Sequence, residues 1–105
     1  MRGDVYRFVS HDVRGDKQSG PRYAVVLQSD ELAALSTLLV APTSTSARPT
    51  LFRPAIDLLG VATYVLLEQT TVVNPESELG DFAGRLTAEE LAEVDAALRL
   101  VMGLF

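Results

Sequence analysis

Short runs of β-branched and aromatic residues follow one another along the first two thirds of this chain, and proline, glycine or polar residues end each run. Runs of this length and composition are typical of β-strands. We predict strands over residues 4–10, 23–28, 38–41, 51–56 and 64–73, with a loop over 11–21. Short sequential strands joined by loops predict a small antiparallel barrel.

Proline and glycine set the expected boundaries of these strands. Pro42 is expected to end the third strand, and Pro54 to confine the fourth to an edge or a bulge, because proline has no N–H for the ladder. Asn74-Pro75 is expected to end the long run as a turn. Residues 79–84 contain two glycines and are interpreted as a connector.

Hydroxyl residues mark two expected helix starts. Ser29 is predicted to cap a short helix. Thr87 with Glu90 three residues on has the spacing of a capping box, and apolar residues then recur on one helical face. Those residues are Leu91, Val94, Leu98 and Val101. The predicted fold class is therefore mostly β with a C-terminal α-helix.

Length and composition narrow the class of protein. A chain of 105 residues fits one domain, residues 1–105, and so small a core gains from oligomerisation. The absence of cysteine excludes disulfides, thiolate metal sites and cysteine nucleophiles. The polar start lacks a signal-peptide apolar region, and the longest apolar run, 32–42, is too short to span a bilayer. We expect a cytoplasmic protein that does not contact membranes.

The charge is unevenly distributed. The net charge of -5 argues by itself against a nucleic-acid partner. Residues 1–53, however, hold seven basic and five acidic side chains, whereas residues 54–105 hold two and nine. Such asymmetry allows two different surfaces on one domain, although ordinary solvated charges would give the same count.

General catalytic motifs do not reveal an enzyme here. The one histidine, His11, lies in a loop and lacks a second histidine for acid–base catalysis. The chain has no nucleophile elbow, Walker A loop, HExxH or dinucleotide fingerprint, and nothing spaces its carboxylates for a metal ion. No cofactor and no metal are therefore predicted.

Three polar segments remain as candidates. The cationic, glycine-containing loop 14–22 suits a phosphate, or is a mobile solvated loop. The hydroxyl run 43–46 offers donors to a phosphate or ribose, or forms a hydrogen-bonded turn. Glu68 and Gln69 line a groove that reads RNA, or face solvent.

Five segments, in this order, resemble the MazF/PemK family of toxin endoribonucleases, and the resemblance covers residues 2–104. It implies the CcdB/PemK type of small antiparallel SH3-like barrel. The segments are Arg2-Gly3-Asp4-Val5-Tyr6, Gly20-Pro21-Arg22-Tyr23-Ala24-Val25-Val26-Leu27, Val40-Ala41-Pro42-Thr43-Ser44, Leu67-Glu68-Gln69-Thr70 and Gly84-Arg85-Leu86-Thr87-Ala88-Glu89-Glu90-Leu91.

The resemblance also implies which residues act. Arg22 matches the family's catalytic arginine, although Tyr23 stands where the family has proline. Ser44 takes the place of the catalytic threonine, and a one-residue shift would put Thr43 or Thr45 there. The general base stays unassigned. The residues expected to bind RNA are Arg14, Lys17, Gln18, Thr43, Thr45, Arg48, Arg53, Glu68 and Gln69.

The activity implied is metal-independent, sequence-selective cleavage of single-stranded mRNA. The ribose 2′-hydroxyl attacks the adjacent phosphorus and leaves a 2′,3′-cyclic phosphate and a 5′-hydroxyl. The implied partners are a second copy in a homodimer and a cognate antitoxin, whose acidic extended segment covers the basic groove. Two alternatives are a CcdB-like toxin that poisons DNA gyrase without cutting RNA, and an inactive RNA-binding module.

Overall fold

The computed structural model describes residues 1–9 and 22–105, so the predicted loop over 11–21 lies outside the described residues. Within them the chain forms seven strands, two α-helices and two 3₁₀ turns, at Asp30–Leu32 and Leu67–Gln69. The strands are β1 (Asp4–Phe8), β2 (Tyr23–Val26), β3 (Leu38–Ser44), β4 (Ala55–Leu58), β5 (Val61–Val65), β6 (Thr71–Val73) and β7 (Leu79–Arg85). The helices are α1 (Pro75–Glu78) and α2 (Ala88–Met102).

The strands pair antiparallel in the order β4-β5-β3-β2-β1-β7, and β6 pairs with the first half of β3. The sheet curls so that Gly84 of β7 lies 3.9 Å, measured from an ideal Cβ position, from a methyl group of Leu58 in β4. This curled antiparallel half-barrel with a C-terminal helix confirms the predicted fold class.

The prediction that Pro42 ends the third strand is wrong, because β3 continues to Ser44. Residues 38–40 pair with β6, whereas Thr43 and Ser44 pair with β5. Pro42 lies where β3 changes partner, and its carbonyl accepts from Leu66 N on that side at 2.9 Å. N–H and C=O of one strand residue point the same way, so the missing donor of proline faces Leu66 at the end of the β3–β5 ladder, and the β2–β3 ladder loses no bond.

The single strand predicted over 64–73 is also wrong. The chain leaves β5 after Val65, turns at Leu67–Gln69 and resumes as β6. The hydroxyl of Thr70 donates to Leu67 O at 2.7 Å, which holds the turn. The β-rich composition of this run hid the break, because a local side-chain hydrogen bond outweighed strand propensity.

Two further boundaries moved. The fourth strand begins after Pro54, at Ala55, and lies at the edge of the sheet as predicted. A tight turn with Leu59 at φ 53° and Gly60 at φ 82° joins it to β5 and was not predicted. The region 79–84, interpreted as a connector, is the edge strand β7.

Both predicted caps are confirmed. Ser29 Oγ accepts from Glu31 N at the first 3₁₀ turn. At α2, Thr87 and Glu90 form the complete capping box, and the second carboxylate oxygen of Glu90 accepts from Asp57 N at 2.8 Å. One side chain thus caps α2 and occupies a free donor of the edge strand β4, which limits pairing with other chains there.

The two faces of the sheet carry separate apolar clusters. On the helix side, Val94 and Ala97 of α2 pack with inward residues of the strands, and Leu91, Leu98 and Val101 pack against them. The strand residues on that side are Val5, Val25, Ala41, Ile56, Leu58 and Val65. The outer face carries a second cluster of Ala24, Val26, Val40, Val73 and Leu79. Successive residues of a strand alternate between these two faces.

Asp4 is a buried carboxylate, 4% exposed, at the start of β1. Arg85 Nε donates to its Oδ1 at 2.7 Å, and the amino terminus lies 3.2 Å from its Oδ2. Burial raises the pKa of Asp4, but the hydrogen bonds from Arg85 and the amino terminus, with their charges, lower it by more. The pKa of Asp4 therefore lies below its ordinary value.

Asp4→Asn is expected to lower the free energy of unfolding at neutral pH. The variant should then lose less stability than wild type when the pH is lowered. A carboxyl whose pKa is depressed by folding stabilises above its unfolded pKa of about 3.9, and that stabilisation disappears as pH falls through the folded pKa. Urea unfolding at about pH 7 and about pH 3 should show the gap between wild type and variant shrinking in acid. Asp81→Asn, at an exposed residue of β7, is the control. A gap of equal size at both pH values would contradict this assignment.

Candidate active site

The candidate site lies where β2 begins and β3 ends. These strands pair with Ala24 opposite Pro42, Val25 opposite Ala41 and Val26 opposite Val40. The same register, continued by two residues, puts Arg22 opposite Ser44. Directly opposed residues of an antiparallel pair point to the same face, with Cβ atoms about 5 Å apart. The two predicted catalytic residues are therefore neighbours on the outer face of the sheet.

Arg22 has a fixed backbone and an exposed side chain. Its carbonyl accepts from Phe8 N of β1 at 2.8 Å, which anchors the residue from the side away from β3. Its guanidinium makes no hydrogen bond or ion pair with residues 1–9 or 22–105. A rigidly held arginine with free donors is suited to a phosphate, since guanidinium presents a planar fork of N–H groups.

Ser44 is half-buried at the last position of β3. Its Oγ accepts from Ser46 N at 3.1 Å and lies 3.5 Å from Ser46 Oγ, so a tight turn orients the hydroxyl. Accepting a bond leaves the hydroxyl proton available to donate. The hydroxyl run 43–46 was interpreted either as a hydrogen-bonded turn or as a set of donors to a phosphate. Ser44 takes part in such a turn and still has a proton to donate.

The structure separates the three hydroxyl candidates. Thr43 is buried, and its Oγ1 donates to Tyr23 O at 3.1 Å. The burial and the bond to Tyr23 O give Thr43 a structural role within the sheet. Thr45 is exposed in the following loop. Ser44 is the hydroxyl whose strand position faces Arg22.

Arg53 and Glu68, both expected to bind RNA, bind each other. Arg53 Nε donates to Glu68 Oε2 at 2.9 Å, and its Nη1 donates to Arg48 O at 3.2 Å. Gln69 Nε2 lies 3.5 Å from the same carboxylate oxygen. The hydrogen bonds from Arg53 lower the pKa of Glu68 more than burial raises it, and the pair raises the pKa of Arg53. The pair ties loop 45–54 to the 3₁₀ turn.

Glu68→Gln is expected to loosen loop 45–54. The amide keeps one acceptor but loses the charge that holds Arg53, so loop N–H groups should open more often. Hydrogen exchange followed by mass spectrometry should show faster exchange in this loop, with the core strands unchanged. Glu76→Gln, in α1 and exposed, is the matched control. Unchanged loop exchange would show that the pair does not hold the loop.

The remaining predicted contacts divide into two groups. Arg14, Lys17 and Gln18 lie outside the described residues. Arg48 and Gln69 are exposed. Arg48 lies in the same loop as Arg53, and Gln69 lies in the same 3₁₀ turn as Glu68. The Arg53–Glu68 ion pair was not predicted from the sequence, because its members are fifteen residues apart and neither lies in a regular strand.

Sequence reasoning also missed Tyr64 as a residue of this site. The register of β3 and β5 puts Tyr64 directly opposite Ser44. Alternation along β5, with Thr63 and Val65 buried, could have assigned Tyr64 to the outer face. Four residues therefore follow one another across neighbouring strands on the outer face: Phe8, Arg22, Ser44 and Tyr64.

The described residues contain neither a cluster of metal-ligating side chains nor a helix able to span a membrane. Among residues 1–9 and 22–105, no three histidine or acidic side chains group as a metal site. In the same part of the chain, no helix has the length and apolar character needed to cross a bilayer.

The chain matches a described protein family over residues 1–102, that of the PemK-like, MazF-like toxins of type II toxin–antitoxin systems. It belongs to that family. The match confirms the resemblance carried by the five segments. It extends from the polar start through β1 to the end of α2, so the candidate site lies inside it.

One relative in sequence and two solved structures are similar to this chain. The "Putative toxin Rv3098A/RVBD_3098A" of Mycobacterium tuberculosis is 37% identical over 105 residues, which cover 99% of this chain and 98% of that protein. A mycobacterial endoribonuclease in complex with its cognate antitoxin has a TM-score of 0.80 at 20% identity, covering 100% of this chain and 96% of that one. MazF of Deinococcus radiodurans has a TM-score of 0.76 at 23% identity, covering 96% and 94%. The structural likenesses establish the shared fold.

Proposed function

We propose that this protein is a sequence-selective endoribonuclease that cuts single-stranded RNA, chiefly mRNA, without a metal ion, as the toxin of a type II toxin–antitoxin system. The observation that carries the proposal is the β2–β3 register, which puts Arg22 beside Ser44. Family membership supports the toxin role, and a solved structure of similar fold is named an endoribonuclease.

The proposed reaction is an internal transesterification. The ribose 2′-oxygen attacks the adjacent phosphorus, the bond from phosphorus to the 5′-oxygen breaks, and a 2′,3′-cyclic phosphate and a 5′-hydroxyl result. A base takes the 2′-hydroxyl proton, and an acid supplies one to the leaving oxygen. Negative charge develops on the phosphoryl oxygens at the transition state, where fixed donors are most effective.

Arg22 and Ser44 provide those donors. The guanidinium of Arg22 faces solvent without a partner among the described residues and is free to bind two phosphoryl oxygens. The hydroxyl of Ser44, oriented by Ser46 N, donates a further hydrogen bond to the phosphate. The hydrogen bond from Phe8 N to Arg22 O and the place of Ser44 in β3 support a site arranged before RNA arrives, which is the condition for electrostatic catalysis.

The surface around Arg22 and Ser44 would bind the rest of the RNA. Cations there should contact phosphates, which positions the strand without reading its sequence. The proposed contacts are Arg14, Lys17, Gln18, Thr45, Arg48 and Gln69. Arg53 and Glu68 act on RNA through the loop that they hold.

Two protein partners are proposed. A cognate antitoxin would lay an acidic extended segment along the groove, pair its carboxylates with Arg14, Lys17 or Arg22, and exclude RNA. A solved structure of similar fold is that of an endoribonuclease with its cognate antitoxin. A homodimer would add burial to a small core. The gyrase-poisoning alternative is not favoured, because the family matched is the PemK-like, MazF-like one.

The test is incubation of the purified protein with mixed-sequence RNA in the presence of EDTA, followed by mass spectrometry of the fragment ends. We expect cleavage that leaves 2′,3′-cyclic phosphates and 5′-hydroxyls. Addition of the cognate antitoxin should stop this cleavage. Intact RNA together with gyrase-dependent DNA breaks would reject the proposal in favour of a gyrase poison.

A further inference from the structure

We infer that Tyr64 is a stacking platform for a nucleobase beside the scissile phosphate, and so a substrate-binding and specificity-determining residue. The inference rests on the proposed function and extends it from the phosphate to the base. It starts from the position of Tyr64 in the sheet: β5 pairs with β3 so that Tyr64 is opposite Ser44.

The neighbours of Tyr64 on the outer face are small. Ser44 flanks it on β3 and Ala55 on β4. Along its own strand, Ala62 is the preceding residue on the same face. Aromatic residues in sheets usually pair with aromatic or β-branched residues across the strand, and those pairs stabilise the sheet. Tyr64 has no such partner, so cross-strand packing does not account for a large ring here.

The ring is partly exposed. Tyr64 is half-buried, whereas Thr63 and Val65 on either side of it are buried, and Val65 belongs to the helix-side core. Within residues 1–9 and 22–105, the one ring–ring contact is between Tyr6 and Phe82, with centroids 5.7 Å apart. Among the described residues the Tyr64 ring therefore has no ring partner, and it is partly exposed beside the small side chains of Ala55 and Ala62.

The partly exposed ring lies close to the expected position of the reacting phosphate. Tyr64 and Arg22 are the neighbours of Ser44 on the strands to either side of it, and cross-strand neighbours lie about 5 Å apart. A phosphate bound by Arg22 and Ser44 would place the base of an adjoining nucleotide over the tyrosine. Single-stranded RNA is commonly bound by stacking its splayed bases on aromatic side chains.

Binding of a decamer of mixed-sequence 2′-O-methyl RNA measures this role, since blocking the 2′-hydroxyls prevents cleavage. Tyr64→Leu should raise the Kd by about 5- to 150-fold, the range for loss of one stacked base. Tyr64→Phe, which keeps the ring, should bind like wild type. Phe82→Leu is the control for loss of an exposed ring, because Phe82 lies on β7 and is 53% exposed.

A tryptophan probe keeps the inference testable if Tyr64→Leu fails to fold. The chain has no tryptophan, so Tyr64→Trp introduces a single fluorophore. Its fluorescence should be quenched when the 2′-O-methyl RNA binds, whereas that of Phe82→Trp should not change. Equal responses from the two tryptophans, or wild-type affinity in Tyr64→Leu, would overturn the inference.

The two proposals can fail separately. Protein that cuts RNA while Tyr64→Leu binds the probe as tightly as wild type leaves the proposed function intact and rejects the stacking role. Protein that binds the probe through Tyr64 but cuts no RNA leaves the stacking role and rejects the nuclease. Protein that neither binds nor cuts RNA rejects both.

Discussion

Arg22→Ala is expected to lower the single-turnover rate of RNA cleavage by about 100- to 1,000-fold, the usual cost of removing one transition-state donor. The guanidinium is exposed, so its loss should leave stability close to that of wild type. Binding of uncleavable RNA should weaken far less than the rate falls, because the donor acts most strongly on charge that develops during reaction.

Two further variants separate the chemistry of Arg22 from its charge. Arg22→Lys keeps the charge but loses the planar fork, so a rate between those of wild type and alanine is expected. Arg99→Ala, at an exposed position of α2, removes an arginine away from the candidate site and should cut at the wild-type rate. Wild-type cleavage by Arg22→Ala would reject the site assignment.

Ser44→Ala is expected to lower the same rate by about 100-fold, through loss of a hydroxyl donor to the phosphate. Ser44→Thr keeps the hydroxyl and adds a methyl group that a strand accommodates, so it should retain most of the activity. Ser36→Ala, exposed and outside the candidate site, serves as the matched control.

Neighbouring hydroxyls test the choice of Ser44. Thr43→Val removes the bond to Tyr23 O, so it should cost about 1 kcal/mol of stability. Thr45→Ala should alter binding more than the rate, because its side chain lies in the loop beyond the strand. A larger loss of rate in Thr45→Ala than in Ser44→Ala would move the catalytic hydroxyl by one residue.

Local chemistry made some elements predictable. The capping box at Thr87 and the cap at Ser29 depend on side chains within three residues, and both formed as expected. The edge position of β4 was predicted from Pro54, although the strand itself begins only at the following residue. The order of strands and the terminal helix sufficed for the fold class.

Long-range pairing explains what was missed. That Pro42 lies inside β3 depends on a change of partner from β6 to β5, which no local pattern records. The Arg53–Glu68 pair and the burial of Thr43 likewise arise only once distant segments meet. The resemblance was enough to name Arg22 and Ser44 as candidates. That they lie next to each other follows only from the β2–β3 register.

The central claim is that Arg22 and Ser44 act on one phosphate as a single site. Single-turnover cleavage rates of wild type, Arg22→Ala, Ser44→Ala and the double variant test it most directly. Residues that act as a unit are strongly non-additive, so the double variant should be little slower than the slower single variant. A double variant slowed by the product of the two single effects would show that the residues act independently, and would contradict the account.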